Sequence, residues 1–207
     1  MIEVPFSRLA AILVVLTAVV GCAGSKPPNY YILRSIQNPG LEVRAEGAQQ
    51  DLAVEVGPVK IPEYLDRPQI AARSAGNSLQ FAEFDKWAEP LEKNLMRVLA
   101  DNLSAMIPSE RVSIFPWPKS MPVQYRVTLE VIHLEKMPDE KVILDTGWNI
   151  LGSDGENLLV MRRSRLMQPV ESAGYEGVVS AESRAVEALS REIAAALRSL
   201  AGEPAPH

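Results

Sequence analysis

The residues able to do chemistry are few and scattered. The chain holds two histidines, His133 and His207, and a single cysteine, Cys22. Neither histidine has a second ligand at metal-binding spacing, and HxxH and CxxC do not occur, so no metal site is expected. A serine nucleophile needs a base beside it; GxSxG is missing, and His133 sits in a strand-like stretch as a partly buried residue would. Phosphate-cradling P-loops and GxGxxG are missing as well. Asp139 and Glu140 fall in a turn-like stretch and read as solvated. Neither an enzyme nor a resident cofactor is expected. Arg162, Arg163 and Arg165 cluster on one strand, with alternate members on opposite faces. They suit an acidic partner or a lipid phosphate, but the favoured reading is a charged edge that blocks aggregation. Trp117, between Pro116 and Pro118, reads either as an exposed interface anchor or as a tucked-in loop residue.

Cys22 stands apart because of what precedes it. Leu9–Gly21 is apolar, uncharged and free of proline, and Arg8 precedes it; Glu3 weakens the positive start. Such a run is short of the ~20 residues that span a bilayer but fits the core of a signal peptide. Its end, Val19-Val20-Gly21-Cys22, resembles the lipobox of bacterial lipoproteins. That resemblance implies a diacylglyceryl group on the Cys22 sulfur, cleavage after Gly21 and acylation of the new amino group. A thiolate is the nucleophile that takes the lipid. One acyl chain binds a membrane marginally and two or more hold it stably. Ala23, where Asp would signal retention, points to the outer membrane under enteric-type sorting.

The chain has 207 residues and a net charge of −5. Residues 1–21 carry one acid and one base, Glu3 and Arg8, so losing them leaves the charge unchanged. An acidic chain argues against nucleic acid as the main partner. With one cysteine no internal disulfide can form, which is natural if lipid consumes it. The expected layout is a signal peptide over 1–21, a lipidated tether over 22–29, one domain over 30–202 and a frayed tail over 203–207.

Within the domain, Tyr30–Arg34 and Leu52–Ile61 read as strands, the second at an edge or bulged because Pro58 withholds a ladder hydrogen bond. Gln69–Ser74 and Ser78–Phe84 flank Gly76-Asn77 as a hairpin. Trp87–Ile107 is a helix with Leu91, Leu95, Val98, Leu99, Leu103 and Met106 on one stripe, its regular part starting near Glu89 with Pro90 in the first turn. Arg111–Phe115, Tyr125–Glu135, Lys141–Leu151 and Asn157–Leu166 are strands, the last two joined at Asp154-Gly155. In Tyr125–Glu135 the alternation puts Tyr125, Val127, Leu129, Val131 and His133 on one face and Arg126, Thr128 and Glu130 on the other, until the apolar Ile132 and Leu134. Gly174–Leu200 is a second helix, with Val179, Val186, Leu189, Ile193, Leu197 and Leu200 as its stripe. The order predicts an α+β fold: two layers, a largely antiparallel sheet with two long helices packed on one face.

Val59–Ile70 (VKIPEYLDRPQI), then Trp87-Ala88-Glu89-Pro90-Leu91 and a helix ending Asp101-Asn102-Leu103, resembles the ABC-type transport auxiliary lipoprotein family. Its best-known type is the paraquat-inducible lipoprotein that partners MCE-domain proteins. The resemblance covers essentially the whole mature chain, including Tyr30-Tyr31-Ile32-Leu33. It implies a domain held by lipid on the periplasmic face of the outer membrane, assisting an MCE-type system that moves lipids or other hydrophobic molecules between membranes. The implied partner is the MCE channel protein, and a symmetric channel end suits a homo-oligomeric ring. The family supplies no catalytic residues; only Cys22 carries over with a defined role. Tyr64, Asp66, Arg67, Trp117, Arg162, Arg163 and Arg165 remain candidates for partner contact. Asp66 could instead cap or pair with Arg67, and Trp87 and Leu91 could be core residues at i,i+4 spacing. A different reading is a lipid carrier holding an acyl chain near Leu129, Trp148 and Leu189.

Intact-mass spectrometry of the membrane-extracted protein should find a chain beginning at Cys22 and carrying acyl mass. An unmodified thiol, or a retained leader, would contradict the anchor.

Overall fold

The computed structural model describes residues 26–36, 52–74, 76–107, 109, 111–116 and 122–202. The expected leader, Cys22, the first part of the expected tether, Trp117 and residues 203–207 lie outside the described residues. Eight strands form one sheet: β1 (Asn29–Tyr31), β2 (Val54–Lys60), β3 (Gln69–Arg73), β4 (Leu79–Trp87), β5 (Val112–Ile114), β6 (Tyr125–Lys136), β7 (Lys141–Leu151) and β8 (Leu158–Pro169). Among the described residues two α-helices, α1 (Leu91–Met106) and α2 (Gly174–Leu200), pack side by side on one face. This is the expected α+β architecture.

β6 is the trunk. One edge pairs antiparallel with β7 from Arg126↔Leu151 to Lys136↔Val142, and β7 pairs antiparallel with the edge strand β8. The other edge divides: its first half carries β2 in parallel, followed by β5, while Lys136 at its end meets Ala72 of β3. The β3–β4 hairpin is antiparallel, and β1 joins β4 in parallel. The long ladders are antiparallel and the parallel pairings are short, as suits strands linked by tight turns.

Two bulges set which side chains face the helices. At Gly57-Pro58 the β2–β6 register shifts between Val56 and Val59, so the proline is absorbed as a bulge in a strand paired on both sides rather than at a sheet edge. In β6 the register shifts between Val131 and His133. The extra residue moves His133 off the core face and puts Leu134, only 2% exposed, onto it. The alternation expected from sequence fails here for that reason. In β7 it holds: Val142, Leu144, Thr146, Trp148 and Ile150 are all buried beneath the helices.

α1 starts one residue after Pro90, which is its N-cap and not part of its first turn. Trp87 is therefore the last residue of β4. It is buried as expected, but from the sheet, and Trp87–Leu91 is no helical pair. Leu200, expected on the apolar stripe of α2, is exposed in the last turn. Gly177 lets Ser172 of the preceding loop press against the first turn of α2, where a Cβ would collide with the Ser172 carbonyl. The core carries its own polar chain: Trp148 Nε1 donates to Ser164 Oγ at 2.8 Å, and that hydroxyl donates to Glu192 of α2.

Glu182 of α2 is 1% exposed, and its Oε2 has no hydrogen-bond partner. Desolvation by burial, then the charge of Glu135, raises its pKa well above the ordinary carboxylate value. The folded state keeps a proton that the unfolded chain releases. Stability on this account is fullest below the ordinary carboxylate pKa and falls as pH rises through the raised value. Glu182→Gln, permanently neutral, should raise the neutral-pH melting temperature by several degrees and remove that slope; chemical denaturation of both proteins at pH 4.5 and pH 7.5 checks this.

Candidate functional site

The described chain enters the sheet at β1, and three sequence motifs meet there. Asn29 Nδ2 and Tyr31 OH both donate to Asp85 Oδ1, at 2.8 and 2.9 Å. Burial, then the bond to Asp85, raises the Tyr31 phenol pKa. Ala88 N donates to Tyr31 O at 2.8 Å, and Trp87 N donates to Pro68 O at 2.7 Å. The Tyr-Tyr-Ile-Leu segment, the Asp-Arg-Pro-Gln turn and the Trp-Ala-Glu-Pro helix start are thus bonded through backbone. Glu89 pairs with Arg97 at 2.5 Å, fixing the turn to α1.

Beyond β1 the chain becomes a strap over the seam between the helices. Leu33 N donates to Asn94 Oδ1 at 2.7 Å, Arg34 N to Ser183 Oγ at 3.1 Å and Ile36 N to Asn102 Oδ1 at 2.8 Å. Asn102 also donates through Nδ2 to Ser190 Oγ at 3.0 Å, and Ser190 donates to Val186 O at 2.7 Å. Three extended residues span ~10 Å and eight helical residues ~12 Å, so strap and α1 keep step from Asn94 to Asn102. Leu33, 1% exposed, plugs the core between them. Asn94, Ser183 and Ser190 were not singled out from the sequence, and Asn102 only as part of the family motif; the signal was there, as polar residues interrupting otherwise apolar helix faces. Between strap and α2 opens a cleft of about 440 Å³, walled by residues 30–32 and 34–36 and by Glu176, Val179, Ser180, Ser183, Arg184 and Glu187.

The sequence-predicted contact residues do not form one site. Tyr64 OH donates to Glu135 Oε2 at 2.6 Å, while Arg73 Nε donates to Glu135 Oε1 at 2.8 Å. Both oxygens of this fully buried carboxylate are thereby occupied, so it offers no free base. Tyr64's hydroxyl pKa is raised, by burial first and the Glu135 bond second. His133 Nδ1 lies 3.4 Å from both Tyr64 OH and Glu135 Oε1. Arg67 turns onto the Phe81 ring, 4.0 Å from its centroid, rather than pairing with the exposed Asp66. Arg162, Arg163 and Arg165 stand on β8, at the opposite edge. Arg163 grips Asp145 through two bonds of 2.8 and 2.9 Å and holds its carboxyl below the usual range; Arg165 lies 3.9 Å from the same group. Arg162 faces the Trp148 ring at 5.8 Å. Among the described residues no group of His, Cys, Asp and Glu could hold a metal ion, and no helix is long and apolar enough to cross a membrane.

Residues 35–194 match the profile of the ABC-type transport auxiliary lipoprotein component, and the chain belongs to that family. It is 29% identical over 160 residues to the intermembrane transport lipoprotein PqiC of Escherichia coli K12, covering 77% of this chain and 81% of that one; the PqiC of Shigella flexneri matches equally. Two crystal structures share the fold. An uncharacterized protein superposes with a TM-score of 0.68 at 20% identity, over 83% of this chain and 99% of its own. XCC0632 from Xanthomonas campestris gives 0.63 at 17% identity, over 80% and 92%.

Asn102→Ala strips one donor from Ser190 and one acceptor from Ile36 inside the seam. It should cost about 1–3 kcal/mol, read by denaturant titration, and should speed amide exchange at Ile36. Unchanged exchange there would mean the strap does not depend on this side chain.

Proposed function

We propose that the protein is a lipid-anchored, periplasm-facing accessory subunit of an MCE-type ABC transport system moving lipids or other hydrophobic molecules between the two membranes, and so supports envelope integrity. The coarser statement, a transport auxiliary lipoprotein, is its family membership. The observation that carries the finer reading is the strap. Chain leaving the tether at Asn29 enters the sheet at once, and within a few residues is bonded to both helices. A pull on the anchor is therefore borne by the whole domain. From Cys22 to Asn29 the chain reaches at most ~25 Å, so lipid on Cys22 would hold the domain close to the outer membrane. Confinement to a surface raises effective concentration and lets a weak contact suffice.

On this reading the MCE protein meets the exposed edge of β8. Arg162, Arg163 and Arg165 stand there among Leu158, Met161 and Met167, which are 47%, 70% and 48% exposed. Several copies around a symmetric channel end would present a ring of such edges. Asp66, Arg67 and Trp117 are further contact candidates, while the Tyr64 hydroxyl is engaged by Glu135. The carrier reading has less support where it was first placed: Leu129, Trp148 and Leu189 are packed in the core at 4%, 1% and 1% exposure.

Affinity capture of the lipidated protein from membranes should bring down an MCE-domain protein. Arg162→Glu with Arg165→Glu should cut that recovery at least tenfold with an unchanged melting temperature, and Cys22→Ser should abolish it at native abundance. Full recovery with both arginines reversed would remove β8 from the interface; no MCE protein under any condition would overturn the docking role.

A further inference from the structure

The cleft beside the strap is lined by opposite charges, and two of them are uncommitted. Arg184 is held by Ser180 Oγ at 3.1 Å, by the Pro169 carbonyl at 2.6 Å and by Glu171 at 3.6 Å. Glu187 is held by Arg191 at 2.5 Å. Arg34 and Glu176 line the same cleft, are exposed, and their charged ends make no ion pair or hydrogen bond with described residues. The Arg34 backbone is nevertheless held at the cleft wall, since its N–H is bonded to Ser183. Glu176 stands in the first turn of α2 and adds to the field that raises the Tyr31 phenol pKa. Tyr30 and Ile32, 63% and 40% exposed, supply an apolar wall. The volume of about 440 Å³ falls within the ~300–1,000 Å³ of small-molecule sites.

We propose that this cleft binds the zwitterionic headgroup of a phospholipid, a phosphate with a primary ammonium, drawn from the membrane to which the chain is tethered. A guanidinium matches phosphate oxygens in a bidentate fork. A carboxylate accepts hydrogen bonds from an ammonium, which a quaternary amine cannot donate. Free cation and free anion in one cleft select a ligand carrying both charges over a simple anion. The apolar wall meets the glycerol end, and the acyl chains stay in the bilayer. Chain geometry favours this source, because Cys22 lies eight residues before Tyr30, at most ~29 Å of extended chain. The source, though not the headgroup chemistry, rests on the membrane-anchored reading above.

The test separates the two. Processed protein in detergent is titrated with glycerophosphoethanolamine, glycerophosphocholine and glycerol phosphate, none of which has acyl chains, and binding is read by phosphorus NMR. The ethanolamine probe should bind at least tenfold more tightly than the other two. Arg34→Gln should weaken all three at least tenfold. Glu176→Gln should erase only the preference for the ammonium, with melting temperatures unchanged in both variants. Equal binding of the three probes, or no effect of Arg34→Gln, overturns the site whatever the anchor does. Protein anchored in vesicles containing phosphatidylethanolamine should lose binding of the soluble probe, and keep it in vesicles of phosphatidylcholine alone. Equal probe binding in both vesicles would overturn the membrane as the source while leaving the headgroup site intact.

Discussion

The Asn102 side chain joins three pieces of chain: the strap, α1 and α2. Its carbonyl accepts from the strap at Ile36, its amide donates to Ser190, and Ser190 passes the bond to the backbone of α2. A fully buried amide is tolerable only when it is bonded, and a bonded one fixes geometry more sharply than apolar packing does. The strap follows from it. So does the alignment of α1 against α2, and so does the cleft whose wall the strap forms.

The sheet uses the same device at its other face. Glu55, Glu135 and Asp145 are buried carboxylates on adjacent strands, each gripped by an arginine: Arg126, Arg73 and Arg163. An unpaired charge at such depth would be expensive, whereas a pair with further hydrogen bonds is tolerable. Arg126 also explains the tight β7–β8 turn. Its guanidinium occupies the space where a Cβ on Gly155 would stand, at a residue with φ of 73°. Glu182 lacks such a partner, and the protein keeps it neutral instead. Each of these side chains is spent on holding the fold, which leaves the free charges Arg34 and Glu176 conspicuous.

Both long strands of the central hairpin, both helices and the Asp154-Gly155 turn were legible from local pattern. Periodicity is set by backbone geometry and needs no distant partner. The failures have local causes too. A bulge after Val131 reversed the facing of His133, and an N-cap proline moved Trp87 from helix to strand. Neither can be read from alternation alone, because one inserted residue shifts every later side chain to the other face. The family motif was recognisable as a string, but not for what it does. Leu65 is buried in the core, Tyr64 reaches a carboxylate on β6, and Arg67 lies on Phe81.

By itself the sequence determined the lack of recognisable catalytic motifs, the order of the main elements and the family. These depend on residue type and short-range spacing, which survive without coordinates. Only tertiary structure decided that the segment after β1 is strapped into the helix seam, that the three arginines occupy the edge opposite the Tyr64 turn, and that Arg34 and Glu176 share a cleft. Those facts are meetings between residues far apart in the chain, and no local preference encodes which distant partner a side chain will find.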